Sequence, residues 1–153
     1  MKLPSTADRV ACNTADEINA EIRHKMEESV VRCATAGPEA IERRLAELDR
    51  EWDIERYLET MAPSLTLLGL TLGLTVSKKF FVIPFAVQTF FLQHALQGWC
   101  PPIPVLRRAG VRTMEEINEE KNALKALRGD YQDVRGTGTL ADSVRPALAA
   151  AMR

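Results

Sequence analysis

Two side chains stand where their types and neighbours permit chemistry. Cys100 lies between Trp99 and Pro101, in a segment too proline-rich to be regular, and a thiol there acts as nucleophile, sulfur acceptor or redox sensor only if something lowers its pKa. Arg107 and Arg108 are the nearest cations in sequence. With no second Cys two or three residues away and no adjacent His, the expected role is structural. His94 is the other candidate, as proton carrier, haem ligand or metal ligand. It sits beside Gln93 and Gln97 near the end of an uncharged run, and neither uncharged run holds an Asp or Glu to complete a relay. A hydrogen-bonding role is therefore expected. His24, between Arg23 and Lys25, reads as solvated, and Cys12 and Cys33 add neither a disulfide framework nor zinc spacing. G-x-S-x-G, H-E-x-x-H, G-x-x-x-x-G-K-[ST] and G-x-G-x-x-G are all absent, so no independent enzyme, cofactor or metal is expected.

What must position these residues follows from where the charges are missing. The chain has 153 residues, 27% of them charged, with 20 basic and 21 acidic side chains and a net charge of -1. That balance excludes a field that would gather nucleic acid. From Thr60 to Leu106, however, the only charges are Lys78 and Lys79. Two uncharged stretches flank this pair, at about 60–77 and 80–98. Each would reach roughly 27 Å as a helix, close to the thickness of a hydrocarbon core. Neither carries an ionic face at helical spacing, which distinguishes them from the central helices of a soluble bundle, the alternative for such a pair. The expected fold class is all-α: a transmembrane helical hairpin over residues 60–99 with flanking soluble amphipathic helices, and a lipid bilayer as first partner.

Arg43, Arg44, Arg50 and Arg56 precede the first stretch, and Arg107, Arg108 and Arg112 follow the second. This places both termini on the cytoplasmic side. Tyr57 and Trp99 then serve as interface anchors at one leaflet. No apolar run of signal-peptide length opens the sequence, so insertion is expected to rely on the hairpin. The first half of the second stretch is strongly apolar, whereas Gln88, Gln93, His94 and Gln97 make the remainder more polar, and that half should face protein or the interface. Gly69 and Gly73, four apart, allow close helix packing, within the hairpin or between copies.

Residues 1–59 read as an amphipathic helical hairpin. A Thr14/Glu17 capping box starts the first helix, whose apolar stripe is Ile18, Ile22, Met26, Val30 and Cys33. Gly37-Pro38 breaks it, and Ile41, Leu45, Leu48 and Trp52 form the second stripe. The excess of acid over base in this region favours a protein partner over an anionic leaflet. Pro63 predicts a kink or restart near Thr60. Residues 100–129 comprise a proline-rich segment that should exclude regular helix, then a helix capped by Thr113 and Glu116 and ended by Gly129. Residues 130–153 read as a mobile tail with a short Ala-rich turn.

Gly98-Trp99-Cys100-Pro101, then Leu106 and Gly110-Val111-Arg112-Thr113, closing a hairpin of two short spans, resemble the YgaP-like inner-membrane domain, a bacterial family of unknown function. The similarity covers roughly residues 57–113. It implies a bacterial inner-membrane location, a two-helix unit and association of copies through their helices. In that family the unit occurs alone or fused to a rhodanese domain. No such domain accompanies it here, so the sulfur-transfer activity of fused members is not implied. The resulting expectation is a non-catalytic membrane scaffold or accessory subunit that self-associates or joins a membrane complex. The alternatives are a thiol-dependent sulfur or redox carrier using Cys100, and a soluble helical adaptor.

Overall fold

Local signals set most of the helix ends. The computed structural model describes residues 5–134 and 143–151, and every regular element among them is helical. After a 3₁₀ turn at Ala11–Asn13, α1 (Asp16–Ala36) opens with Asp16 and Glu17 in its first turn, where carboxylates favour the positive end of the helix dipole. Its start differs from the expected capping box. The 3₁₀ turn brings the Val10 carbonyl under Thr14, whose hydroxyl donates to it at 2.9 Å, and the Ile18 and Asn19 N–H groups bond to the Ala15 carbonyl. Gly37 (φ 96°) separates α1 from α2 (Pro38–Leu48), with Pro38 in the first turn, where no N–H is required.

The chain forms two compact units. One comprises Met1–His24 and Trp52–Glu116, the other Lys25–Glu51 and Ile117–Arg153. In the second, Cys33 of α1 and Ile41, Leu45 and Leu48 of α2 enclose a core with Ile117 and Leu124 of α6 (Met114–Arg128). The 4–3 spacing puts the α2 residues on one face. Trp52 does not extend that stripe, because α2 stops at Leu48. The fully buried Glu120 accepts from Arg44 Nε at 2.8 Å and Nη2 at 3.2 Å, and this hydrogen bonding raises the already high Arg44 pKa. Gly129 (φ 94°) ends α6. The expected mobile tail falls partly on residues 135–142 and 152–153, outside the described residues; between them, Val144–Ala151 forms α7.

The first unit is built on an antiparallel pair, α3 (Ile54–Thr75) and α4 (Val82–Gln97), joined through a 3₁₀ turn at Lys78–Phe81. Asp53 caps α3 by accepting from the Arg56 N–H at 2.7 Å. No restart occurs at Pro63: α3 runs through it, with the Thr60 and Ser64 hydroxyls bonding the Arg56 and Thr60 carbonyls. Val10, Ile54, Leu58, Cys100 and Ile103 form the buried core, with Phe91, Leu106 and Val111 against it. The proline-rich segment also departs from expectation. Ile103–Arg108 is a short helix, α5, because Pro102 stands at its N-cap and Pro104 in its first turn, where a missing N–H removes no helical bond. At α6, Glu116 accepts from the Thr113 N–H at 2.8 Å and the Thr113 hydroxyl accepts from the Glu116 N–H at 3.2 Å, a reciprocal cap.

By length and composition, one helical segment among the described residues, Lys78–Gln97, is apolar enough to cross a membrane, and 11% of its apolar window is buried.

Candidate functional site

The open end of the α3/α4 pair gathers the chemistry-bearing residues of the first unit. Gly98 ends α4 in the left-handed conformation (φ 77°). A Cβ there would lie 2.2 Å from the Arg9 carbonyl oxygen, so glycine is required both for the turn and for the passage of the N-terminal segment. Asn13 Nδ2 donates to the Arg9 carbonyl and to the Gln97 carbonyl, each at 2.8 Å, tying that segment to the end of α4.

His94 is almost completely buried, one turn before Gly98. Its Nε2 lies 2.8 Å from Glu55 Oε2, and Arg9 Nη2 donates to Glu55 Oε1 at 2.7 Å. Glu55 stands in the first turn of α3, outside the uncharged stretches, so a search for a carboxylate inside them misses it. The antiparallel pairing of the helices alone brings it to His94. Burial opposes ionisation of Glu55, but the bonds from His94 and Arg9 outweigh it and hold the carboxyl below its ordinary range. His94 Nδ1 is buried with no hydrogen-bond partner among the described residues. The imidazole stacks against Phe91, with ring centroids 6.4 Å apart.

Cys100 is 3% exposed, and burial pushes its thiol pKa up, with the Glu55 charge adding to the shift and the Ile103 N–H opposing it. Arg107 does not activate it. That side chain is fully buried and makes a bidentate pair with Glu116 (2.6 and 2.7 Å), with a further bond to Asn19 Oδ1 at 2.8 Å. Burial resists ionisation of Glu116, while Arg107 and the Thr113 N–H stabilise the carboxylate and lower its pKa.

The remaining sequence candidates are distributed along the hairpin. Gly69 and Gly73 face α4 and the 3₁₀ turn: a Cβ at Gly69 would lie 2.5 Å from Pro84 Cδ, and one at Gly73 2.7 Å from the Phe81 ring. Gln88 donates to the Thr66 hydroxyl at 2.8 Å, linking the two helices, and Gln93 is half-buried. Tyr57 and Trp99 are half-buried at the same end of the pair. Trp52 meets Tyr57 edge-on at 5.3 Å and lies under the Arg56 guanidinium at 4.6 Å, a cation–π contact. A cavity of about 320 Å³ opens between Leu58, Met61, Ala62 and Leu65 of α3 and Ala86, Val87, Phe90 and Phe91 of α4, closed by Cys100, Pro101 and Pro102. Apart from the thiol, its side chains are all apolar, so it supplies no acid, base or oxyanion donor. Among the described residues, no group of three His, Cys, Asp or Glu is placed to hold a metal.

No family model matches the chain, and neither the curated proteins nor the solved structures contain a match.

Proposed function

We propose that the chain is an integral membrane scaffold: α3 from about residue 60 onward and α4 lie in the bilayer of a bacterial inner membrane, both termini are cytoplasmic, and the helices of the second unit are offered to a protein partner. The observation that carries this reading is exposure without charge. Leu67, Leu74, Val82, Phe85 and Leu92 point outward from the hairpin, Leu74 and Phe85 at 80% and 75% exposure. A core helix of a water-soluble bundle would cover such side chains, whereas an uncharged outer face whose exposed Ser64, Thr71, Thr75 and Thr89 hydroxyls bond to helix carbonyls is stable against lipid. Lys78 and Lys79 at the tip and Tyr57 and Trp99 at the base bound this face where interfacial residues belong.

The two glycines close the hairpin on itself, so self-association, as the YgaP-like resemblance implies, would use the outer faces of α3 and α4. The thiol-carrier alternative has weaker support, since the Cys100 thiol is buried and its pKa raised. The deciding experiment is extraction of membranes expressing the chain. Resistance to alkaline carbonate with release by detergent is the expected result. Recovery as a dispersed monomer in detergent-free buffer overturns the reading and favours the soluble adaptor.

A further inference from the structure

We propose that residues Ser5–Asn13 form a releasable strap over the base of the hairpin, fastened through Glu55, and that Val10 is its plug in the core. Three independent contacts converge on this short segment. Arg9 bonds Glu55 at 2.7 Å, in a pair whose side chains are 23% and 31% exposed. Val10, 3% exposed, completes a cluster otherwise made by Ile54, Leu58, Cys100 and Ile103. Asn13 caps the Gln97 carbonyl, and Gly98 leaves room for the Arg9 backbone.

The fastening is weaker than what it covers. Inside the cover, His94 keeps its own bond to Glu55 and is 1% exposed, so the carboxylate retains a partner when Arg9 leaves. Outside it, the Arg9 pair is part-exposed, and pairs of that kind are worth little in water. The strap adds one buried aliphatic side chain and a few hydrogen bonds, whereas α3 and α4 are held along their length. Low-stability segments of this kind open without global unfolding. An open strap leaves an apolar socket beside a carboxylate and a free helix-end carbonyl, complementary to an Arg, an aliphatic residue and an Asn at the spacing of Arg9, Val10 and Asn13. The segment's own sequence is thus the socket's resident ligand. This inference concerns the first unit alone and does not require the bilayer reading.

The three cysteines provide the test within the full-length chain in detergent. Cys12 is exposed on the strap, Cys100 is buried in the socket cluster, and Cys33 is buried in the other unit. Maleimide labelling at each position is followed by mass spectrometry of peptides. In the unmodified chain Cys12 should react fast and both others slowly. Arg9→Ala should raise the Cys100 rate by about 3-fold, and Gly98→Ala, which displaces the Arg9 backbone, by about 10-fold or more, with Cys33 unchanged. Adding a Ser5–Asn13 peptide carrying Cys12→Ser should return the Arg9→Ala chain towards slow labelling. Unchanged Cys100 rates in both variants overturn the proposal. So do Cys100 and Cys33 rising together, which signals general loosening, and failure of the peptide to protect.

Discussion

Replacing Gly69 by Ala is the sharpest probe of how the hairpin is held, because two opposing effects have different signs. In the interior of an unpacked helix, Gly→Ala gains about 1 kcal/mol. At Gly69 the new methyl would lie 2.5 Å from Pro84 Cδ and 2.9 Å from Ile83 Cβ, against about 3.5–4.0 Å for comfortable carbon contact. The proline ring is rigid and buried, so relief requires α4 itself to move by roughly 1 Å. Overpacking costs about 1–3 kcal/mol, and an approach this short to a rigid ring belongs in the upper half of that range, leaving Gly69→Ala destabilised by about 1–2 kcal/mol after the helix gain. Gly73 differs. Its obstacle is the Phe81 ring, 37% exposed and free to swing aside, so Gly73→Ala should be near neutral. Equilibrium unfolding of the detergent-solubilised protein, followed by helical circular dichroism, should rank the original chain and Gly73→Ala above Gly69→Ala. A Gly69→Ala chain as stable as the original refutes the reasoning. So does a shift in oligomer size with no loss of monomer stability, which would move the glycine contact to an interface between copies.

Three further outcomes are expected. Because Glu55 and Glu116 titrate below the ordinary carboxylate range when folded, their contribution is present above the unfolded value near pH ~4.3 and is lost as pH falls through the lower folded values. Acid unfolding should therefore begin below that value, and Glu55→Gln should flatten part of the pH dependence; an unchanged acid limb contradicts this. Arg107→Met leaves Glu116 and Asn19 without their buried partner and should cost about 3 kcal/mol in thermal or chemical unfolding, with partial recovery on adding Glu116→Gln. Thr113→Ala removes one half of the reciprocal cap and should cost about 1 kcal/mol, seen as faster amide exchange in the first turn of α6.

What could be read along the chain is what depends on near neighbours. Gly37-Pro38 stops one helix and starts another, because glycine alone adopts φ 96° freely and proline suits a first helical turn. Thr113 and Glu116 cap α6 through atoms three residues apart. The long run without carboxylates is likewise a property of composition, independent of how the chain turns. Where local reasoning failed, another local group had intervened: the Val10 carbonyl captured Thr14, and the prolines after Cys100 fell at positions where a helix tolerates them.

The bonding at the base of the hairpin is of another kind. His94 meets Glu55 across 39 residues of sequence, Arg107 meets Asn19 across 88, and Asn13 meets the Gln97 carbonyl across 84. No spacing rule contains such pairs, since they exist only once α3 and α4 run antiparallel and the N-terminal segment crosses the end of α4. The sequence alone thus determined two apolar helical stretches without charge, at about 60–77 and 80–98, and the caps of their neighbours, through periodicity and backbone geometry. Tertiary packing decided that Gly69 lies under Pro84, that Cys100 is sealed rather than presented, and that the buried imidazole shares its carboxylate with Arg9, because desolvation and pairing act between atoms close in space and remote along the chain.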